Sequence, residues 1–318
     1  MKTTPKIRVG ISTCLLGEHV RFDGGHKHDP FLTETLGEFF AWVPVCPEVE
    51  IGLGIPRESM RLVGSPESPR LIAQRSGEDH TDAMQRFAAK RVEKLAASDI
   101  HGYVLKKNSP SCGMLRVRVY GDSGMPARNG RGLFADRLLR QLPLLPVEEE
   151  GRLHDPVLRE NFIERVFAHD RWTQFVASRP RARDMVEFHA RQKLVLMAHS
   201  PQHYRQLGSL VAKAGRTPMN ELLESYGPAF MQCLAVHATA SKHANVLQHL
   251  LGYLKKELDA ADKAELVRHI EDYRIGLLPL IVPLTLLIHH FRRHPVAWVA
   301  EQTYLNPYPA ELMLRNHV

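Results

Sequence analysis

The sequence lacks several features that would place it in a familiar class. It has only four cysteines in 318 residues and no Cys-x-x-Cys pair, which argues against a disulfide framework and against the commonest zinc motifs. No run of five or six Lys or Arg marks a nucleic-acid-binding tail, although the net charge is +7. The mild basic excess is therefore weak support for a nucleic-acid partner.

Signals for membrane insertion or export are also missing. The most apolar stretch, residues 276–291, contains two prolines and is shorter than a membrane span, so it predicts a buried helix or helix pair. The N-terminal segment has neither a long apolar core nor a small-residue cleavage site. We expect a cytoplasmic protein with no membrane anchor.

The hydrophobic pattern changes near residue 152. Before it, short strand-like runs alternate with helical periodicity, which predicts an α/β domain with a mostly parallel sheet over residues 1–152. After Glu148–Glu150 the pattern is helix after helix, which predicts an all-α domain over residues 153–318. The predicted helices of the first half are Pro30–Ala41, Asp79–Ser98 and Leu133–Leu142, and a short apolar run spans Leu144–Val147. Predicted breaks in the second half include Ser200–Pro201 and Gly227–Pro228.

Three of the four cysteines have the same local setting. Cys14, Cys46 and Cys112 each follow a predicted strand and lie close to a Gly or Pro. Loops after the carboxyl ends of parallel strands share one edge of the sheet, so the three thiols are predicted to converge there. Thiolates are soft ligands that select iron–sulfur clusters, zinc or Cu(I), and the residues alone leave these alternatives open. Cys233 lies in a helical stretch and is predicted to be a core residue.

The segment after Cys14 is loop-like and rich in polar groups. Arg21 is a candidate to bind an anion or a carbonyl group of a substrate. Asp23 precedes two glycines and is either a turn residue or an acid/base. His26 is a candidate proton carrier. Each of the three is equally well explained as a turn or surface residue.

Polar residues also accompany the other two cysteines. Glu48 lies two residues after Cys46 and is a candidate general acid/base. Lys106 or Lys107 offers a positive charge, and Ser109 and Ser111 offer hydroxyl donors just before Cys112. The Ser-Pro-Ser sequence is also compatible with plain turn formation.

Three segments together resemble the TudS-type 2-thiouracil desulfidase family: GISTCLLGEHVRFDGGHK, PVCPEVEIGLGIPR and KKNSPSCG. The resemblance implies a Rossmann-like domain with a [4Fe-4S] cluster on the three cysteines and one iron left open. It implies catalytic roles for Glu48 and for Ser109 or Ser111, and leaves open whether Asp23 shares the proton work. From their own chemistry, Arg21, Lys106 and His26 are the residues expected to bind the substrate. The expected reaction is non-redox cleavage of a C–S bond, which releases hydrosulfide from a thiolated pyrimidine.

The second half resembles a helical domain of unknown function that occurs alone or fused after a desulfidase-like domain. The matching segments are EFHARQKLVLMAHSPQHYRQLGSLVA and GLLPLIVPLTLLIHHFRRHP with YLNPYPAEL. Thirteen of the 18 histidines lie after residue 152, and their scattered spacing favours structural or surface positions over a metal site.

Three functions remain open at this point. The first is a desulfidase of thiolated pyrimidines, either free or within RNA. The second is an iron–sulfur or zinc-stabilised binding or sensing module whose helical domain contacts nucleic acid or a protein partner. The third is a sulfur carrier. A site with an unfilled fourth ligand position favours the enzyme.

Overall fold

The computed structural model describes residues 6–121 and 124–318. Residues 1–5 lie outside the described part. They begin the N-terminal segment for which no signal peptide was predicted. The chain divides into two compact units, residues up to His154 and Asp155–Val318. No helix among the described residues is long and apolar enough to cross a membrane.

The first unit contains a parallel sheet. Its four described strands run in the order β2-β1-β5-β8, and every neighbouring pair is parallel. The strands are β1 (Ile7–Ser12), β2 (Phe40–Val45), β5 (Tyr103–Leu105) and β8 (Val147–Glu149). Their apolar residues are largely buried, as expected for a parallel sheet covered on both faces. All four carboxyl ends therefore point to one edge.

A second, mixed sheet lies in the same unit. Its order is β4-β3-β6-β7, in which β3 and β6 are parallel and the two outer pairs are antiparallel. The strands are β3 (Met60–Val63), β4 (Arg70–Ala73), β6 (Val117–Tyr120) and β7 (Pro126–Gly130). Strand β7 was not predicted because four of its five residues are exposed and lack apolar alternation.

Three α-helices complete the first unit: α1 (Pro47–Glu50), α2 (Thr81–Ala97) and α3 (Leu133–Gln141). Helix α2 buries Met84, Ala88, Val92 and Leu95, which fall on one face because they recur every three or four residues. These side chains join a core cluster that also includes Cys112. The third thiol-bearing loop of the chain is thus anchored in the core.

One predicted element of this unit differs from the structure. Pro30–Ala41 was predicted as one helix, but a π-helical turn (Phe31–Thr35) and a 3-10 turn (Leu36–Glu38) are followed, after Phe39, by β2. Phe40 and Ala41 pair in register with Ile7 and Arg8 of β1, so strand pairing overrides the helical periodicity. The apolar run Leu144–Val147, to which no element was assigned, leads into β8, which continues to Glu149.

The second unit is helical throughout. Its helices are α4 (Pro156–Ala177), α5 (Ala182–His199), α6 (Pro201–Val211), α7 (Met219–Ala235), α8 (Ala240–Tyr253), α9 (Ala260–Arg274), α10 (Ile281–Arg293) and α11 (Ala297–Ala300). Side chains of Asp155, Ser200, Thr239 and Asp259 accept hydrogen bonds from the first turns that follow them. Residues 155–318, all described, form no β-strand and only one isolated bridge.

One predicted break in this unit is wrong. Gly227–Pro228 lies inside α7. A Cβ at Gly227 would lie 2.9 Å from Trp172 Nε1, so the glycine allows the helix to pack closely against an aromatic ring. Tertiary packing of this kind stabilises a helix that propensity alone would end. The predicted order, an α/β region with a parallel sheet followed by a helical region, is confirmed.

Candidate active site

The three predicted cysteine ligands lie at the carboxyl edge of the parallel sheet. Cys14 lies in the 3-10 turn Thr13–Leu16 that follows β1, and Cys46 comes directly after β2. Cys112 follows β5 after a six-residue segment. All three thiols line one cavity of about 380 Å³, and all three are free of disulfide bonds.

Burial determines the acidity of these thiols. Burial raises the pKa of Cys14 to about 11, although the positive charge of Lys106 opposes it. The pKa values of Cys46 and Cys112 are also raised by burial, and for Cys112 a hydrogen bond with Ser12 offsets part of the effect. Without a bound cation the three thiols are therefore protonated at neutral pH, and metal binding would release their protons.

The donor set has the chemistry of an iron–sulfur site. Thiolates are the soft donors that such clusters take, and each thiolate binds a different iron. Cys14, Cys46 and Cys112 supply three such donors around one cavity. Among the described residues, no group of three or more His, Cys, Asp or Glu side chains is arranged to hold a single metal ion.

Glu48 is held by two side chains. Arg57 donates to Glu48 Oε2 from Nε at 3.0 Å and from Nη2 at 2.6 Å. Ser111 Oγ donates to Glu48 Oε1 at 3.0 Å. The side chains of Arg57 and Glu48 are only 7% and 15% exposed. Arg57 Nη1 also donates to the Val20 carbonyl at 3.0 Å, so both oxygens of the carboxylate have fixed partners and the guanidinium is itself anchored.

The segment before Cys112 forms a tight hydroxyl-stabilised turn. Ser109 Oγ accepts hydrogen bonds from the N–H groups of Ser111 at 3.2 Å and Cys112 at 3.0 Å. Ser111 is fully buried, and its hydroxyl is committed to Glu48. Ser109, by contrast, lines the cavity. The two serines therefore occupy different positions: one supports the carboxylate and the other faces the space that a ligand would fill.

A glycine pair allows this turn to pack closely. A Cβ at Gly113 would lie 2.4 Å from Val117 Cγ2 and 2.8 Å from the Ser109 carbonyl oxygen. A Cβ at Gly132 would lie 2.5 Å from the Ser111 carbonyl group. Neither position has room for a side chain, which explains the glycine on each side of the turn.

The remaining predicted site residues divide into two groups. Arg21 and Lys106 line the cavity, whereas Asp23 and His26 are not among the described residues that do. Asp23 is half exposed, pairs with Arg21 Nε at 3.4 Å and accepts a hydrogen bond from Gly25 N at 3.1 Å, which lowers the pKa of its carboxyl group. His26 is exposed and contacts the ring of His19 edge-on. Seven of the ten predicted residues thus line the cavity, and Ser111 and Asp23 are each bonded to a residue that lines it.

Three polar residues of the site were missed by the sequence reasoning. Arg57 fixes Glu48, Ser12 accepts a hydrogen bond from Lys106 N at 3.0 Å, and Glu150 forms an ion pair with Lys106. Ser12 was detectable as the last residue of the strand before Cys14. Arg57 lies within the motif GLGIPR, but nothing in the spacing indicates its partner. Glu150 lies at the predicted end of the α/β domain, and nothing in its local sequence indicates a partner.

Comparison with known proteins defines the class that this fold and site belong to. Residues 9–150 match the family described as 2-thiouracil desulfurase, and residues 193–309 match DUF1722, a family of unknown function. The chain belongs to the 2-thiouracil desulfurase family, with a DUF1722 region after the desulfurase region. The resemblance stated from the sequence motifs is therefore confirmed.

Two curated relatives and one solved structure are similar to parts of the chain. The uncharacterized protein YbgA of Escherichia coli is 32% identical over 42% of this chain and 79% of its own length. The uncharacterized protein YbbK of Bacillus subtilis is 33% identical over 32% of this chain and 71% of its own length. A solved structure of the [4Fe-4S]-dependent thiouracil desulfidase TudS is 31% identical, covers 47% of this chain and 95% of its own, and has a TM-score of 0.38.

Proposed function

We propose that the protein is an enzyme that removes sulfur from a thiolated pyrimidine such as 2-thiouracil and releases hydrosulfide. The observation that carries the proposal is the shared cavity: three thiols, the Glu48 carboxylate and the Ser109 hydroxyl all line it. We further propose that residues 1–152 form a Rossmann-like desulfidase domain. Membership of the desulfurase family supports the same reaction class.

The proposed cofactor is a [4Fe-4S] cluster on Cys14, Cys46 and Cys112. Three protein ligands leave one iron open, and the bound cluster supplies a Lewis acid for the thiocarbonyl sulfur. The remaining chemistry falls to side chains of this chain.

Glu48 is the proposed general base. One water adds to the carbon that carries sulfur, and the carboxylate accepts a proton from that water. The C–S bond then breaks as the remaining hydroxyl proton passes to sulfur. The carbon keeps the oxygen as a carbonyl group and sulfur leaves as hydrosulfide, so no electron is gained or lost overall. Arg57 and Ser111 hold the carboxylate in one orientation, which a general base needs in order to meet its water.

Ser109, Arg21 and Lys106 are proposed to bind and orient the substrate. The oxygen of Ser109 accepts two backbone N–H groups, so its hydroxyl proton can be donated to the pyrimidine ring or to developing negative charge. The two cations line the same cavity and favour an electron-rich ring edge. Asp23 and His26 stay predictions for accessory proton transfer: Asp23 pairs with Arg21 and His26 contacts His19, and neither is among the described residues that line the cavity.

The cavity suits a small planar ligand. Its volume of about 380 Å³ lies within the range of small-molecule sites, which is roughly 300–1,000 Å³. Val20, Phe22, Val45 and Met60 supply apolar walls among the polar groups. Apolar walls with a few converging polar groups are typical of sites that bind heteroaromatic rings.

Anaerobic reconstitution followed by a desulfidation assay tests the proposal. The reconstituted protein is expected to deplete the absorbance of 2-thiouracil and to release an equal amount of sulfide. Cys14→Ala is expected to lose both the brown cluster absorbance and the activity. Cys233→Ala is the matched control: Cys233 is buried in α7 with its Sγ 3.7 Å from the Leu196 carbonyl oxygen, so this variant keeps both.

Two outcomes would contradict the proposal. If Cys14→Ala keeps its chromophore and its activity, the cluster assignment is wrong. If the wild-type protein binds a cluster or zinc but releases no sulfide, the chain is a metal-stabilised binding or sensing module instead.

A further inference from the structure

Strand β8 and the residue that follows it carry three buried glutamates. Glu148, Glu149 and Glu150 are 8%, 6% and 7% exposed. Buried carboxylates are rare in proteins unless hydrogen bonds or cations compensate for the loss of water. The partners of these three side chains therefore indicate what each of them does.

Two of the glutamates bind the backbone of the segment that carries Cys112. Glu149 Oε1 accepts hydrogen bonds from Met114 N at 2.8 Å and Leu115 N at 3.2 Å. Glu150 Oε2 accepts one from Lys107 N at 2.8 Å, and its Oε1 forms the ion pair with Lys106. One carboxylate thus binds the start of the segment and the other binds its end.

We infer that Glu149 and Glu150 are positioning residues for the candidate active site: they fix both ends of residues 106–115 and so place Ser109, Ser111 and Cys112. The inference rests on the proposed function for the role of those three side chains. The two glutamates act through the backbone of the segment and are not assigned any contact with substrate.

The strand register explains why carboxylates serve here. Backbone pairing between β5 and β8 ends at Leu105 and Glu149, because β5 is only three residues long. Beyond that point the segment leaves the sheet, and its amide groups need other acceptors. The carboxylates of Glu149 and Glu150 are these acceptors, and they bind the segment beyond the last backbone pair of β5 and β8.

The backbone after β8 also packs against the start of segment 106–115. A Cβ at Gly151 would lie 2.7 Å from Lys107 Nζ and 2.9 Å from its Cδ. Lys107 therefore passes directly against the backbone that follows Glu150. Contacts from the carboxylate and from this backbone restrict the same residue.

Glu148 provides a matched control within the same strand. It is as buried as its neighbours, but its Oε1 accepts from Arg152 Nε at 2.7 Å and from Glu149 N at 2.9 Å. No bond from Glu148 to residues 106–115 is found among the described residues. Replacing it disturbs a buried carboxylate of β8 without removing a contact to the segment.

The test compares Glu149→Met, Glu149→Gln and Glu148→Met in full-length protein. In the cluster-free form, mass spectrometry measures the rate at which iodoacetamide alkylates Cys112 relative to Cys14. Cys112 is only 6% exposed, so it reacts when its segment opens. Loss of two charge-assisted hydrogen bonds is expected to raise that ratio about 10- to 100-fold in Glu149→Met. The ratio in Glu148→Met is expected to stay within about twofold of wild type.

Kinetics of the reconstituted enzyme supply the second readout. Glu149→Met is expected to lower kcat while KM stays near the wild-type value, because Arg21 still lines the cavity and the serines are displaced only part of the time. Glu149→Gln keeps an acceptor oxygen without the charge, so it is expected to restore most of the kcat and most of the protection of Cys112.

These results distinguish the positioning role of Glu149 from the proposed desulfidase activity. A wild-type alkylation ratio in Glu149→Met, or an equal rise in Glu148→Met, overturns the positioning role. A selective rise in a protein that releases no sulfide even as wild type supports the positioning role and refutes the desulfidase. If Glu149→Met does not fold, amide exchange of the wild-type protein is measured instead. The amides of Met114 and Leu115 should exchange about as slowly as those of β5. Exchange as fast as that of unbonded loop amides overturns the inference.

Discussion

Replacing Arg57 by methionine removes the guanidinium that holds Glu48 but keeps a side chain of similar length. Among the described residues, Glu48 then retains the Ser111 hydroxyl as its one side-chain partner, and its own side chain is only 15% exposed. Breaking one half of a buried ion pair costs about 3–5 kcal/mol, because a charge is left buried without compensation. Glu48 keeps some exposure and one hydrogen bond, so we expect about 2–4 kcal/mol.

The loss should appear in the first unit. Because the chain has two compact units, a single unfolding transition is a poor measure, and amide exchange of β1 and β2 reports the free energy of unfolding of this unit directly. A double-mutant cycle with Glu48→Gln isolates the pair. If the loss comes from the orphaned carboxylate, neutralising it recovers about 1–3 kcal/mol of the Arg57→Met effect.

The desulfidation activity of Arg57→Met tests the role of Arg57 in catalysis. A carboxylate that rotates away from its water by about 1 Å loses roughly 100-fold in rate, so kcat of Arg57→Met should fall by that order with KM little changed. Arg91→Met is the control. Arg91 pairs at 3.1 Å with Glu50, which lies in the same short helix α1 as Glu48, but the Arg91 side chain is 22% exposed. We expect it to lose under about 1 kcal/mol and to keep its kcat within about twofold. Additive losses in the cycle, or equal effects of the two arginine variants, would refute the reasoning.

Two further predictions concern other parts of the chain. Gly113→Ala is expected to destabilise the first unit by about 1–3 kcal/mol, because the new Cβ meets Val117 at 2.4 Å, whereas Gly121→Ala, with open space around it, is expected to be neutral. Equal stabilities of these two variants by denaturant unfolding would show that the turn has room to adapt. Burial lowers the pKa of His243 to about 3, and its Nδ1 lies 2.8 Å from the Tyr304 hydroxyl. A lowered native pKa means that the unfolded chain binds more protons below pH 6.5, so stability falls from there towards pH 3. Wild type should lose about 2 kcal/mol more than His243→Phe between pH 6.5 and pH 5, and parallel pH profiles in urea titrations would contradict this.

The sequence was most informative where the signal is local. The period-two and period-3.6 patterns of β1, β2 and α2 lie within single segments, and each cysteine reveals its place by following a strand. The topology of a parallel sheet then brings those loops to one edge without any further information. This is why Cys14, Cys46 and Cys112 could be placed together although 66 residues separate the last two.

The sequence was least informative where a partner comes from a distant segment. Glu48 and Arg57 are nine residues apart, but their contact depends on the conformation of the chain between them. Glu149 and Glu150 carry no local signal of burial, since adjacent glutamates are usually solvated. Their burial follows from the pairing of β8 with β5, which no local pattern in either segment predicts.

The strand order gives these observations one physical explanation. Because β5 lies between β1 and β8, the segment that leaves β5 meets Ser12 of β1 on one side and the glutamates of β8 on the other. Both β5 and β8 are only three residues long, so backbone pairing stops early and side-chain acceptors take over. A longer ladder would satisfy the same amides but would carry the segment away from the cavity as a straight strand. Short strands with buried carboxylates at their ends instead let the chain turn at once, and that turn is what brings Ser109 and Cys112 to the same cavity as Cys14.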